Sequence, residues 1–426
     1  MTVRSKTILL AASFGAATLV AGSALGAACP DLPNAIYGSG GSAVTSTLGR
    51  VAVALRSLPE PITVFWHDPG ACPGFKYVVE SQGGLLATDS TGTSVKYWDA
   101  NGTQQTCDAV NVPLDFSHMG NTADYCTEFP NGTPANFGDF LAPVQTLNFI
   151  TDKDSSQKSI SAEALYYIFG LGAEAADIAP WTNPGHLVFR QRGSFVHQLG
   201  ADAIFGELTK VYYDHPSVSG RLGVEVQTNG QSVSSVASAG NGNPESPLGY
   251  VSGNAADTAT AQVKTLAFRY FGQECAYWPS SSEAAKDKIN VRQGLYALWT
   301  PGHFYAPTNS SGAIISNRAG ADATERAAIA ERVQKFIGWF TGSLPAPTVT
   351  PPILERIIAA GDIPLCAMQV TRDGTFGAVS SYAPDEPCGC YYEAIATGNS
   401  AVCDACSTDD DCTGTQKCRF NYCEAY

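Results

Sequence analysis

Eight of the thirteen cysteines fall between Cys366 and Cys423, and this clustering constrains the fold more than any other feature of the chain. The other five, Cys29, Cys72, Cys107, Cys126 and Cys275, are spread over the preceding body. An even set can pair within the tail, whereas the body's odd count leaves one cysteine over. The closing stretch "CDACSTDDDCTGTQKCRFNYC" spaces its cysteines by two, five, five and four residues. In a cytosolic protein such spacing would suggest zinc. In an exported one it reads as a disulfide-stapled module. "STDDD" lacks the ligand count of a calcium loop. The chain is therefore expected to be a large body followed by a short stapled extension.

The start of the chain supports the exported reading. Arg4 and Lys6 precede the apolar run "TILLAASFGAATLVAG", and Ala24-Leu25-Gly26 supplies small residues for cleavage. Residues 1–28 are expected to be a secretory signal, which places the mature chain outside the cytoplasm, in a periplasm or at a cell surface. Cys29 follows directly, where a lipoprotein carries its acylated cysteine. Gly26 stands where that motif usually has an aliphatic residue. Two uses of Cys29 stay open, a lipid anchor or a disulfide within the body.

The 426 residues suffice for one large or two medium domains, and 44% hydrophobic content supports a substantial core. The formal net charge of −14 excludes nucleic acid as the main partner, because neutralising phosphates needs a basic face. A local anion pocket remains compatible with it.

Along the body, short apolar runs alternate with helical periodicity. Asn34 to Tyr37 ends a strand. Val44, Leu48, Val51, Ala52 and Leu55 then share one helical face. "ITVFW" is a second strand, running into the small-residue turn "HDPGACPG". "SVKYWDANGTQQTC" predicts a hairpin about Asn101-Gly102. "TLNFITD", "HLVFR", "GVEVQ" and "LGYVSG" read as further strands. Ser161 is placed to cap a helix that stops at Gly170. Ile329, Val333, Phe336, Ile337 and Phe340 mark a late amphipathic helix, and a short helix is expected from Ile353 to Ala360. The alternation predicts an α/β fold with a largely parallel sheet. "SLPAPTVTPP" is the clearest linker.

Two strand–turn–helix units carry chemistry. "YGSGGSAV" turns through Gly40 and Gly41 into a helix whose first N–H groups lack intrahelical partners, so they can face an anion. Ser39 and Ser42 add hydroxyls. The loop half-matches a dinucleotide fingerprint, with Asp68 near the next strand end. Export argues against a nicotinamide cofactor, and no lysine makes it a phosphate loop of the nucleotide-binding kind. "FRQRGSFVHQ" places Arg190, Arg192, Gly193 and Ser194 at a second helix start, and arginine is the preferred planar donor to an oxyanion. His67, His118 and Asp68 lie at predicted strand ends, but no tight histidine spacing supports a metal site. No Gly-x-Ser-x-Gly elbow marks a hydrolase. No cofactor is expected.

In order along the chain, "YGSGGSAV", "DPGACPG", "SISAEALYYIFG" with "WTNP", "VFRQRGSFVHQLGADAIF" and "SPLGYVS" resemble the phosphate-binding proteins of phosphate import, a branch of the two-lobed type 2 periplasmic binding fold. The likeness covers roughly residues 30 to 345. It implies a first lobe from 29–142, a second from 143–254, and a return to the first over 255–342. The linker 343–352 and the cysteine-rich extension 353–426 would follow.

The resemblance also implies a site. Ser42 and Ala43 match the first loop's donors, and Ala71 or Cys72 falls where the family has a serine. Arg190 matches its arginine and Ser194 its serine. Phe195 and Val196 replace a Gly-Thr pair, and Arg192 stands where an aspartate is usual. Ser117 and His118 belong to "LDFSHMGNT", whose Met119 and Gly120 replace the family's Ser-Asp. Without that aspartate the pocket is more positive and less selective for protonated phosphate.

The expected function is a non-enzymatic extracytoplasmic protein that holds a small, phosphate-like oxyanion between two lobes, with a membrane transporter or sensor as partner. The alternative is a surface interaction protein on the same scaffold with a degenerate anion site.

Overall fold

The computed structural model describes residues 28–80, 94–108, 113–170, 178–205 and 223–425. The signal expected over residues 1–28 lies outside them except for Ala28, which bridges Asp108. No helix among the described residues is long and apolar enough to cross a membrane.

The first half is built on β1 (Ala35–Gly40), β2 (Thr63–His67), the hairpin of β3 (Ser94–Trp98) and β4 (Gln104–Asp108), and β5 (Phe116–Met119). Helix α1 (Thr45–Arg56) follows β1, and α2 (Ala71–Glu80) follows β2. Helix α1 buries Leu48, Val51, Ala52 and Leu55, the one-sided stripe visible in the sequence. Each large apolar side chain on that face contributes roughly 1.5–3 kcal/mol. "DPGACPG", expected as an open turn, instead runs straight into α2, with Pro73 in its first turn, where no intrahelical N–H bond is lost.

Strand β6 (Phe137–Asp152) is the spine of the molecule. Its first part pairs with β13 (Trp299–Pro307) in the first half's sheet. Its last part pairs with β10 (Gly249–Ser252) and β11 (Val263–Thr265) in the second half. The β6–β13 register slips between Pro301 and Gly302, leaving Pro143 unpaired. Proline has no N–H for the ladder, so a bulge forms there and bends the strand pair where the halves meet.

The main sheet runs β10-β6-β13-β5-β1-β2-β3-β4. Only β1 with its neighbours β2 and β5 is parallel in it. The largely parallel sheet expected from the alternation is thus a mixed one. The reason is β6 and β13, two long antiparallel strands that carry the chain between the halves.

The second half adds β7 (Ser159–Ser161), α3 (Ala162–Leu165), β8 (Val188–Arg190), α4 (Phe195–Gly200), β9 (Val224–Val226), α5 (Asn229–Gly240), α6 (Gly253–Thr258), β12 (Ala267–Arg269) and α7 (Ile289–Arg292). Ser161 Oγ accepts from Ala164 N, as its position before α3 predicted. Strands β11 and β12 pair with β6 and β7, so the chain re-enters the first sheet at β13. Helix α8 (Ala323–Thr341) then lays Ile329, Val333, Phe336, Ile337 and Phe340 on the first half's core, against Phe116 and Phe304.

The segment beyond the prolines is wedged between the halves. Helix α9 (Ile353–Ala360) gives Ile353 and Ile357 to the first core and Ile358 to the second. Ile363, Met368 and Tyr392 complete the second core. Helix α10 (Gly389–Thr397) starts against Glu424, whose carboxylate accepts from Cys390 N and Tyr391 N, both at 2.9 Å.

Six disulfides pair Cys29–Cys107, Cys72–Cys126, Cys366–Cys388, Cys390–Cys403, Cys406–Cys418 and Cys412–Cys423, leaving Cys275 free and exposed. The tail pairs within itself. The lipid anchor at Cys29 is corrected, because its sulfur is bonded to Cys107 and no thiol remains to acylate. Cys406, Cys412 and Cys423 cluster within 4.8 Å, but all are oxidised and offer no thiolate to a metal.

Candidate functional site

The site lies where the loops after β1 and β2 in one half face the ends of β8 and β9 and the start of α4 in the other. Strand β1 can end there only because it ends in glycine. A Cβ at Gly40 would sit 2.1 Å from His118 O, and one at Gly74 would sit 2.4 Å from Gly40 Cα. The glycines let β1, β5 and α2 cross closely. After Gly41, an extended residue with no side-chain cap, Ser42–Val44 form a tight turn that continues into α1. The N–H groups of Ser42 and Ala43 open this helical run without intrahelical partners.

The facing wall is built on Arg190, the last residue of β8. It is 3% exposed. Its Nη1 donates to Asn229 Oδ1, its Nη2 donates to Gln227 O at 2.8 Å, and its Nε has no partner. No carboxylate among the described residues pairs with it. Burial pulls the guanidinium down to about 10, so it still carries its charge at neutral pH. A buried cation is normally matched by an anion; here the partners are an amide and a carbonyl.

Asn229 is itself oriented. Its Nδ2 donates to Ser252 Oγ at 2.7 Å, Ser252 Oγ donates to Asn254 Oδ1 at 2.6 Å, and Asn254 Nδ2 donates to Ala43 O at 2.7 Å. A continuous chain of polar contacts thus leads from Arg190 in one half to the first loop of the other.

Gly41, Ser42, Ala43, Ala71, Arg190 and Ser194 line one inner cleft, together with Phe195 and Asn229. The cleft is closed. Ala71 N donates to Gly193 O at 3.2 Å across it, while Gly41 N is occupied within its own half, donating to His118 O at 3.1 Å beside the β1–β5 ladder. The halves are also joined by a buried bond from Asn121 Nδ2 to Gln198 Oε1 at 2.7 Å and by an exposed one from Tyr125 Oη to Asp202 Oδ2 at 2.5 Å. The remaining free space is about 10 Å³, room for a single water. Asp68 also lines the cleft, but Lys96 neutralises it and Thr45 donates to it.

Other expected contacts lie elsewhere. Ser39 is fully buried, with its Oγ 3.5 Å from His67 Nδ1, and Gly40 offers only its carbonyl, to Gly70 N. Cys72 is bonded to Cys126, so it has no thiol to offer, and it does not line the cleft. Ser117 and His118 point into the sheet's two faces and do not line the cleft. The His118 ring packs 4.8 Å from Phe304, and burial, then the nearby His303, hold it down at about 3. Arg192 is exposed and outside the cleft. Gly193 contributes the carbonyl that Ala71 N meets. Ser194 lines the cleft, but its Oγ accepts from His197 N as the α4 cap.

A metal trio of His67, His118 and Asp68 does not form. His67 is level with Ser39 and His118 with Gly40, adjacent residues of one strand, so the rings point to opposite faces.

Sequence reading missed Asn229 and Asn254. A signal for Asn229 existed: Thr228 and Gln231 form a capping box after the strand "GVEVQ", marking a third strand–turn–helix unit. Asn254 carried none.

No family model and no curated protein matches the chain. Solved structures do resemble it in fold. One is described as a phosphate ABC transporter substrate-binding protein from Clostridium perfringens with bound phosphate. It is 13% identical over 78% of this chain and 100% of that one, with a TM-score of 0.48. An ABC-type phosphate transport receptor from Vibrio cholerae is 14% identical over 77% and 99%, with a TM-score of 0.43. The regulatory domain of OxyR from Pseudomonas aeruginosa is 8% identical over 71% and 98%, with a TM-score of 0.36.

Proposed function

We propose that this chain is a solute-binding protein that holds a small oxyanion between its two halves. The observation that carries the reading is Arg190: a guanidinium buried at the cleft, with no carboxylate and an unpartnered Nε. An oxyanion there would neutralise the charge and accept from Nε. The unpartnered N–H groups of Ser42 and Ala43 would donate to it from the other half, where the start of the helical run favours negative charge. Entry requires Ala71 N to release Gly193 O, because the closed cleft admits no more than a water.

Thermal unfolding with inorganic phosphate and sulfate tests this. An anion at about 100 times its Kd should add roughly 2.7 kcal/mol of stability. Arg190→Met should abolish the response; it also takes donors from Asn229 Oδ1 and Gln227 O, so the variant is compared with the parent only where circular dichroism shows it folded. A folded chain unmoved by any oxyanion overturns the reading. That result would favour a surface interaction protein on the same scaffold, the reading supported by the cross-cleft bond from Ala71 N to Gly193 O.

A further inference from the structure

Three residues of the closed inner cleft also face a second, larger space beside it. Ser42, Ala43 and Asn229 also line a vestibule of about 770 Å³. Its walls are α1 on one side and α5 and α6 on the other, with Trp98 of the hairpin at its edge. The volume falls within the range of sites that enclose whole small molecules, and a lone oxyanion would fill a small part of it.

The charge of the vestibule is equally informative. The chain carries 39 acidic and 25 basic residues, yet no aspartate or glutamate lines this cavity. Its two charged lining residues are Arg50 and Arg356. Arg356 is held in place by carbonyls: Nε donates to Pro351 O at 3.0 Å, Nη2 to Thr350 O at 3.2 Å, and Nη1 to Arg50 O at 3.3 Å. Neither guanidinium is ion-paired among the described residues. Burial lowers the Arg356 pKa; the attraction of Glu355 on the same helix, which does not line the cavity, opposes this more strongly than the repulsion of Arg50 adds to it. Two guanidiniums lining an acid-free cavity, with Arg356 anchored on the Arg50 carbonyl, form a second place for a negative group.

Resting on the oxyanion reading above, we propose that the ligand is an extended organic anion with an oxyanion at each end. One group sits at Arg190, the polar body fills the vestibule against Trp98, Thr258 and Gln262, and the second group sits at Arg50 and Arg356. The vestibule is lined largely by hydroxyls, amides and glycine, which suits a polyol-like body better than an aliphatic one.

Calorimetric titration of the full chain with inorganic phosphate, fructose 6-phosphate and fructose 1,6-bisphosphate tests this. The bisphosphate should bind about tenfold more tightly than the monophosphate, the gain expected of one added charge-assisted contact. Arg50→Glu, alone and with Arg356→Gln, should bring the ratio of the two affinities to about one; the exposed Arg50 keeps the single variant from disturbing the fold. A bisphosphate no tighter than inorganic phosphate overturns the proposal while phosphate binding upholds the oxyanion reading. An advantage that survives both variants also overturns it. If none of the three binds to the folded chain, both readings fall together.

Discussion

Asp362 accepts from Thr47 Oγ1 at 2.6 Å and is 2% exposed, within the polar seam between α1 and the segment after α9. Burial, opposed by the Thr47 hydroxyl, pushes its carboxyl up to about 7. An unfolded aspartate titrates near 4. Between those values the folded chain holds a proton that the unfolded chain has released. The stabilisation is complete below about pH 4 and is lost as pH rises through about 7. Asp362→Asn keeps an acceptor for Thr47 and removes the titration. Urea unfolding from pH 4.5 to 8 should show the parent losing stability with rising pH and the variant losing distinctly less. Identical slopes would show that Asp362 does not titrate in this window.

At the scale of elements, tight crossings depend on residues with no side chain. Gly40→Ala would drive a Cβ to 2.1 Å from a backbone carbonyl of β5. Overpacking of this kind costs about 1–3 kcal/mol, read as a lowered Tm. An unchanged Tm would mean that β1 and β5 can separate freely. Such crossings also mark the limits of sequence reading. The α1 stripe, the hairpin at Asn101-Gly102, the Ser161 cap and α9 were legible because each is a local pattern. Strand β6 was read only as "TLNFITD", because half of its length is specified by β13, more than 150 positions away. Gly41, Ser42, Ala43 and Arg190 could be recognised from their strand–turn–helix setting. That Cys72 is oxidised, and that Ser117 and His118 face the sheet interior, depends on distant partners that a local window cannot contain.

Considered as a whole, the molecule is held together by its last segment. Ile353, Ile357, Ile358, Ile363, Met368 and Tyr392 are each at most 2% exposed and divide between the two cores. At roughly 1.5–3 kcal/mol for each large apolar side chain, their loss is comparable to the roughly 5–15 kcal/mol that typically stabilises a domain. A chain truncated after Pro352 should therefore fail to fold cooperatively, with lost near-ultraviolet circular dichroism and rapid proteolysis. A stable body without the segment would show that the cores are self-sufficient.

The placement of those residues also sets a timetable. A nascent chain emerges from the ribosome starting at residue 1, and domains commonly fold as they appear. Here both cores wait for apolar side chains that lie beyond β13, after every strand of the main sheet. Neither half can close fully until those later residues have been synthesised.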